Sequence, residues 1–117
     1  MAHLPGTSHH LIADLCEGKG LGDQVLIERT LRAAAAAAHA HVLAVHLHHF
    51  GEGMGITGVA MLAESHISVH TWPETGDAAV DLFVCGQDAD VEAGLDVIVR
   101  MLGATIAAKQ VVVRLAR

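Results

Sequence analysis

Between Val59 and Cys85 the chain offers three short runs with strand character, set apart by only a few residues, and this confines the centre of the protein to a β-sheet. The clearest run is His66–Thr71 (HISVHT). A period of two places His66, Ser68 and His70 on one face, with Ile67 and Val69 on the other. Val59–Ala63 precedes it across the Glu64-Ser65 step, and Ala78–Cys85 (AAVDLFVC) follows after Pro73, which ends pairing there. Ser8–Cys16 and Val42–Phe50 read as further strands, and in the second Val42, Ala44, His46, His48 and Phe50 fall on one face. Asp23 is a fair N-cap for a helix that carries Val25, Ile27, Leu31 and the alanines 33–38 and ends near Ala40. Asp88 or Asp90 can cap a second helix running to Leu102, with Val91, Leu95, Ile98 and Leu102 along one side. Val111–Leu115 closes the chain as a strand. The order β-α-β-β-β-β-α-β predicts an α+β fold, a two-layer α/β sandwich whose antiparallel or mixed sheet is covered by two helices, in a single domain over residues 1–117.

Composition narrows the partners. Hydrophobic residues make up 52% of the chain, more than a small, well-solvated monomer needs, so a homodimer or higher homo-oligomer is expected. Formal net charge is −6, with only seven Lys or Arg, and no basic stripe offers itself to nucleic acid. The opening MAHLPGTSHH lacks the basic-then-apolar layout of a signal peptide, and the apolar run 31–40 is too short for a membrane span, so a cytoplasmic setting with reduced thiols is expected. Two cysteines, Cys16 and Cys85, are too few for a disulfide scaffold.

Reactive side chains concentrate in Glu64–Glu74 (ESHISVHTWPE) and at Cys85. On pattern alone, alternating His and Ser describe the solvated face of a strand, and a lone cysteine is as often an inert core residue as a reactive one. Ten histidines also raise a metal-binding module, through the pairs His46/His48 and His66/His70, but neither pair has an acidic or thiol partner at matching spacing, and no metal is expected.

The segment ESHISVHTWPE closely resembles the hallmark of the bacterial and archaeal S-adenosylmethionine decarboxylase proenzymes. AAVDLFVCG at 78–86, the SHHLIA opening, the HHF before the glycine-rich loop and the element Gly55-Ile56-Thr57-Gly58-Val59 are similar to the same family. The resemblance implies a self-cleaving proenzyme, cut between Glu64 and Ser65 into a β chain of residues 1–64 and an α chain of residues 65–117. In such proteins the serine, here Ser65, becomes a covalent pyruvoyl group. The ketone of that group takes the substrate amine as a Schiff base and accepts the electrons left when CO₂ departs. It further implies His70 as processing base, assisted by Thr57 where the family usually has serine, and Cys85 as the acid that protonates the decarboxylated carbon. Glu74 would bind the ribose hydroxyls, Ile67 would border the substrate through its backbone, and Phe50 would stack on adenine. Members of this size dimerise, which places Ser65, His70, Glu74 and Cys85 in one pocket with the Phe50 loop of the neighbour. The product would supply aminopropyl groups for spermidine, in polyamine biosynthesis.

Three departures bear on the substrate. The loop GEGMGITG is one residue longer than the family's usual spacing and lacks its proline, Asp77 stands where an aromatic is common, and the chain stops at Arg117 without the polar tail of typical members. The extra carboxylates Asp77 and Glu52 motivate an alternative: the same pyruvoyl chemistry on a cationic amino acid, L-arginine or L-ornithine. A processing-dead relative kept as a partner subunit is a third reading, and the presence of Ser65 argues against it.

Overall fold

Short connections dictate the sheet. A computed structural model describes residues 7–116; residues 1–6, part of the segment read for a signal peptide, and Arg117 lie outside the described residues. The elements are β1 (Ser8–Cys16), α1 (Gln24–Ala37), β2 (Val42–His49), β3 (Ile56–Leu62), β4 (Ser65–Trp72), β5 (Asp77–Cys85), α2 (Val91–Leu102) and β6 (Thr105–Arg114). Only Ala63 and Glu64 separate β3 from β4, and only residues 73–76 separate β4 from β5, so these neighbours must pair antiparallel. The six strands lie in the order β2-β3-β4-β5-β1-β6, every adjacent pair antiparallel. Both helices pack on one face, which makes the expected two-layer α+β sandwich.

The helices start where the sequence reading places them. The Asp23 carboxylate accepts from the Leu26 N–H at 3.1 Å, and the Asp90 carboxylate accepts from the Ala93 N–H at 2.9 Å. α1 stops a turn earlier than expected because His39 turns into the left-handed region at φ 64. Its small residues Ala34, Ala35 and Ala38 are buried, and Gly94 lets α2 approach them: a Cβ there would lie 2.7 Å from Leu82 and 3.2 Å from the Ala34 carbonyl. Between helices and sheet, Leu11, Leu15, Ile67, Val69, Leu82, Leu95 and Ile98 form the core.

The sheet departs from the sequence reading in several places, and β3 already begins at Ile56 rather than Val59. β6 begins at Thr105 rather than Val111, because pairing with β1 draws residues of weak strand preference such as Ala107, Ala108 and Lys109 into the ladder. In β2 a register shift between Val42 and Ala44 turns Val42 toward the helices, so it leaves the face it was expected to share with His46 and His48. The other sheet face is uncovered by helices. It carries His46 and His48 from β2, Thr57 and Met61 from β3, His66, Ser68, His70 and Trp72 from β4, Asp81 and Phe83 from β5, and His10 and Ile12 from β1.

Candidate active site

The hairpin between β3 and β4 turns in two residues, and Glu64 meets that demand at φ 59, a conformation disfavoured for any residue with a Cβ by about 1–2 kcal/mol. Three strands converge on this turn. In the β1–β5 register Ser8 lies opposite Cys85, and Ser65 opens β4 beside them. The Cys85 N–H donates to Ser65 Oγ at 3.1 Å, the Cys85 thiol donates to the Glu64 carbonyl at 3.0 Å, and the Ser8 hydroxyl donates to Cys85 Sγ at 3.0 Å. A hydroxyl, a strained carbonyl and a thiol proton on that carbonyl are therefore held together by one chain.

His70 and Thr57 form a second group. The β3–β4 register sets them opposite each other, with Thr57 Oγ1 and His70 Nδ1 at 3.1 Å. Sequence reading placed His70 and Glu74 in one pocket with Ser65; within one chain they are apart. Five residues at the rise of a strand put His70 about 16 Å from Ser65. Glu74 is exposed in the turn 73–76, and Asp77 begins β5 opposite Trp72. A hollow of about 610 Å³ at this end is lined by Trp72, Thr75, Asp77 and Asp14, and neither Ser65 nor Cys85 reaches it. Phe50 is 57% exposed at the start of the glycine-rich loop, edge-on to His48 with ring centroids 4.5 Å apart. Ile67 points into the core, so only its backbone is available to a ligand.

A third group escaped the reading. Asp81 accepts from His10 Nε2 at 2.7 Å, from His66 Nε2 at 2.8 Å and from the Ser68 hydroxyl, which ties β1, β4 and β5 together one step from Ser65. Burial pushes the Asp81 carboxyl upward, but the hydrogen bonds from Ser68, His10 and His66 outweigh it and hold the group below the ordinary carboxylate value. The only sequence signal was a charged residue inside the apolar run AAVDLFVC. Among the described residues these three ligating side chains lie within 4.8 Å of one another, a spacing that suits a metal. The tautomer does not. Arg114 Nη1, always a donor, lies 3.2 Å from His10 Nδ1, so Nδ1 accepts and Nε2 carries the proton given to Asp81. A metal on Nε2 would need Nδ1 to donate, and a guanidinium cannot accept.

The family model described as S-adenosylmethionine decarboxylase matches residues 9–115. The chain belongs to the S-adenosylmethionine decarboxylase family. An S-adenosylmethionine decarboxylase proenzyme of Prochlorococcus marinus is 43% identical over 97 residues, covering 81% of this chain and 77% of the relative. One of Methanococcus aeolicus is 42% identical over 100 residues, covering 84% and 82%. The crystal structure of the adenosylmethionine decarboxylase from Aquifex aeolicus superimposes with a TM-score of 0.78 at 30% identity, over 97% of this chain and 92% of that one. The α+β fold expected from the element order is thus that of a solved member of the S-adenosylmethionine decarboxylase family.

Proposed function

We propose that this chain is a proenzyme that cuts itself between Glu64 and Ser65 and then decarboxylates S-adenosylmethionine through a pyruvoyl group made from Ser65. The observation that carries this reading is the Glu64-Ser65 step, strained at φ 59, with the Cys85 thiol donating to the Glu64 carbonyl. Ser65 Oγ attacks that carbonyl carbon, the C–N bond breaks, and the amide becomes an ester with a free amine on Ser65. The thiol proton stabilises the negative charge that develops on the carbonyl oxygen. Removal of the Ser65 Cα proton then expels Glu64 as a carboxylate from Cβ. Water hydrolyses the remaining enamine, releasing ammonia and leaving the ketone.

Ser65 fits this role, since its hydroxyl is held at the turn by the Cys85 N–H rather than lost in the core. The pyruvoyl group supplies an electron sink for loss of carbon dioxide from an α-amino acid. The thiol of Cys85 stays beside that terminus and holds a proton for the decarboxylated carbon. His70 and Thr57 are too distant to serve the same chain, so in this reading they act on Ser65 of a second copy stacked on the uncovered sheet face. Ile12, Met61 and Trp72, each about half exposed on that face, support such a homodimer. Glu74 then reaches the ribose and Phe50 the adenine of the neighbour's substrate. The product serves aminopropyl transfer to polyamines in the cytoplasm.

Intact mass under denaturing conditions is the test. Wild-type protein should give two fragments, 1–64 and a blocked 65–117, while Ser65→Ala should give one. Carbon dioxide should be released from S-adenosylmethionine and not from arginine or ornithine. A folded wild-type chain that stays whole and carries no borohydride-reducible carbonyl would end this reading.

A further inference from the structure

Ser8 stands at the first position of β1, and its side chain is fully buried. Its hydroxyl donates to Cys85 Sγ at 3.0 Å, and the register pairs the two residues directly. A thiol proton rotates freely about the Cβ–S bond, so its direction is set by what surrounds the sulfur. Here the Ser8 hydroxyl occupies one side of Sγ as a donor, and the Glu64 carbonyl lies 3.0 Å away as an acceptor. With a donor on one side of the sulfur, the S–H is directed to the acceptor on the other, the Glu64 carbonyl.

We infer that Ser8 is a positioning residue for Cys85: it aims the thiol proton at the Glu64 carbonyl, and so acts on self-cleavage and on the later proton delivery without touching substrate. This rests on the proenzyme reading above and deepens it. The hydroxyl converts a thiol that could adopt several rotamers into one oriented donor, which is the condition for stabilising charge at the moment it forms. Burial matters to this role, because a water in place of the hydroxyl would be free to turn and offer the sulfur nothing fixed.

The test compares Ser8→Thr with Ser8→Val. The two substitutions fill the same volume, and only the first keeps the hydroxyl. Folding is checked by circular dichroism and melting, and cleavage is followed by intact mass from the moment of refolding. S8V should cleave at least tenfold more slowly than S8T. In fully cleaved material S8V should lower kcat with KM unchanged, and S8T should restore kcat. If the added methyl groups prevent folding, Ser8→Ala against wild type gives the same comparison. Equal cleavage and equal kcat for S8V and S8T, beside a wild type that cleaves, would overturn the role of Ser8 and leave the proenzyme reading standing. A wild type that never cleaves would overturn both.

Discussion

The two ends of β4 are built on different terms. At the Ser65 end each polar atom is met from within the same chain: the hydroxyl by the Cys85 amide, the Glu64 carbonyl by the Cys85 thiol, the thiol by Ser8. At the His70 end the functional groups are gathered but unfinished. His70 is exposed, is paired with Thr57, and lines a hollow with Ser68, Ala79 and Asp81 that Ser65 does not enter. The difference is one of completion: the Glu64-Ser65 turn is fully partnered within one chain, whereas His70, the processing base of the proposed reading, would have to act on a second copy.

Mixed chains give the largest effect. His70→Ala alone should remain uncut, and so should Ser65→Ala alone. Co-expressed and distinguishable by mass, they should form heterodimers in which the His70→Ala chain is cleaved by the imidazole of its Ser65→Ala partner. Cleavage should rise from undetectable to a large fraction of that chain. If the His70→Ala chain stays whole in verified heterodimers, the two ends of β4 do not cooperate between copies.

Much of this arrangement was legible in the sequence. Period-two alternation in His66–Thr71 put His66, Ser68 and His70 on one face, and Asp23 and the pair Asp88/Asp90 marked the two helix starts, with Asp90 the residue that caps. What stayed hidden depends on register rather than on pattern. Nothing in SHHLIADLC says that Ser8 will lie against Cys85, because that pairing joins residues 77 positions apart. The same holds for His10 and Asp81, 71 positions apart.

Gly55 sharpens the comparison from the His70 end. A Cβ there would lie 1.8 Å from the Thr71 carbonyl oxygen, a backbone atom that cannot swing aside. Thr71 itself is buried, accepting from the Ile56 N–H at 2.9 Å and donating to the Leu21 carbonyl at 2.7 Å. This end of β4 is thus fixed by close packing of main chain. Gly55→Ala should cost about 3 kcal/mol by forcing strands apart. Gly53→Ala, two residues away, has open space around its Cβ and only its φ of 74 to oppose it, so about 1–2 kcal/mol is expected. Urea unfolding measures both, and equal losses would show that the loop is not clamped against Thr71.

Asp81 probes the Ser65 end, which is held by charge instead. Its carboxyl lies below the ordinary value because hydrogen bonds from Ser68, His10 and His66 outweigh the burial that pushes it upward. A folded-state value lowered in this way adds stability that is fully present above the unfolded value of about 3.9 and is lost as pH falls through the folded one. Asp81→Asn keeps the shape but has one carbonyl oxygen for three donors, and should cost about 1–3 kcal/mol at pH 7. The gap between wild type and variant should then narrow as pH drops below about 4, where the unfolded carboxylate takes up a proton before the folded one does. Unfolding free energies measured from pH 7 to pH 3 decide it. A gap that stays constant over that range would mean that Asp81 acts by shape alone, and that the strands carrying Ser65 and Cys85 are held together without its charge.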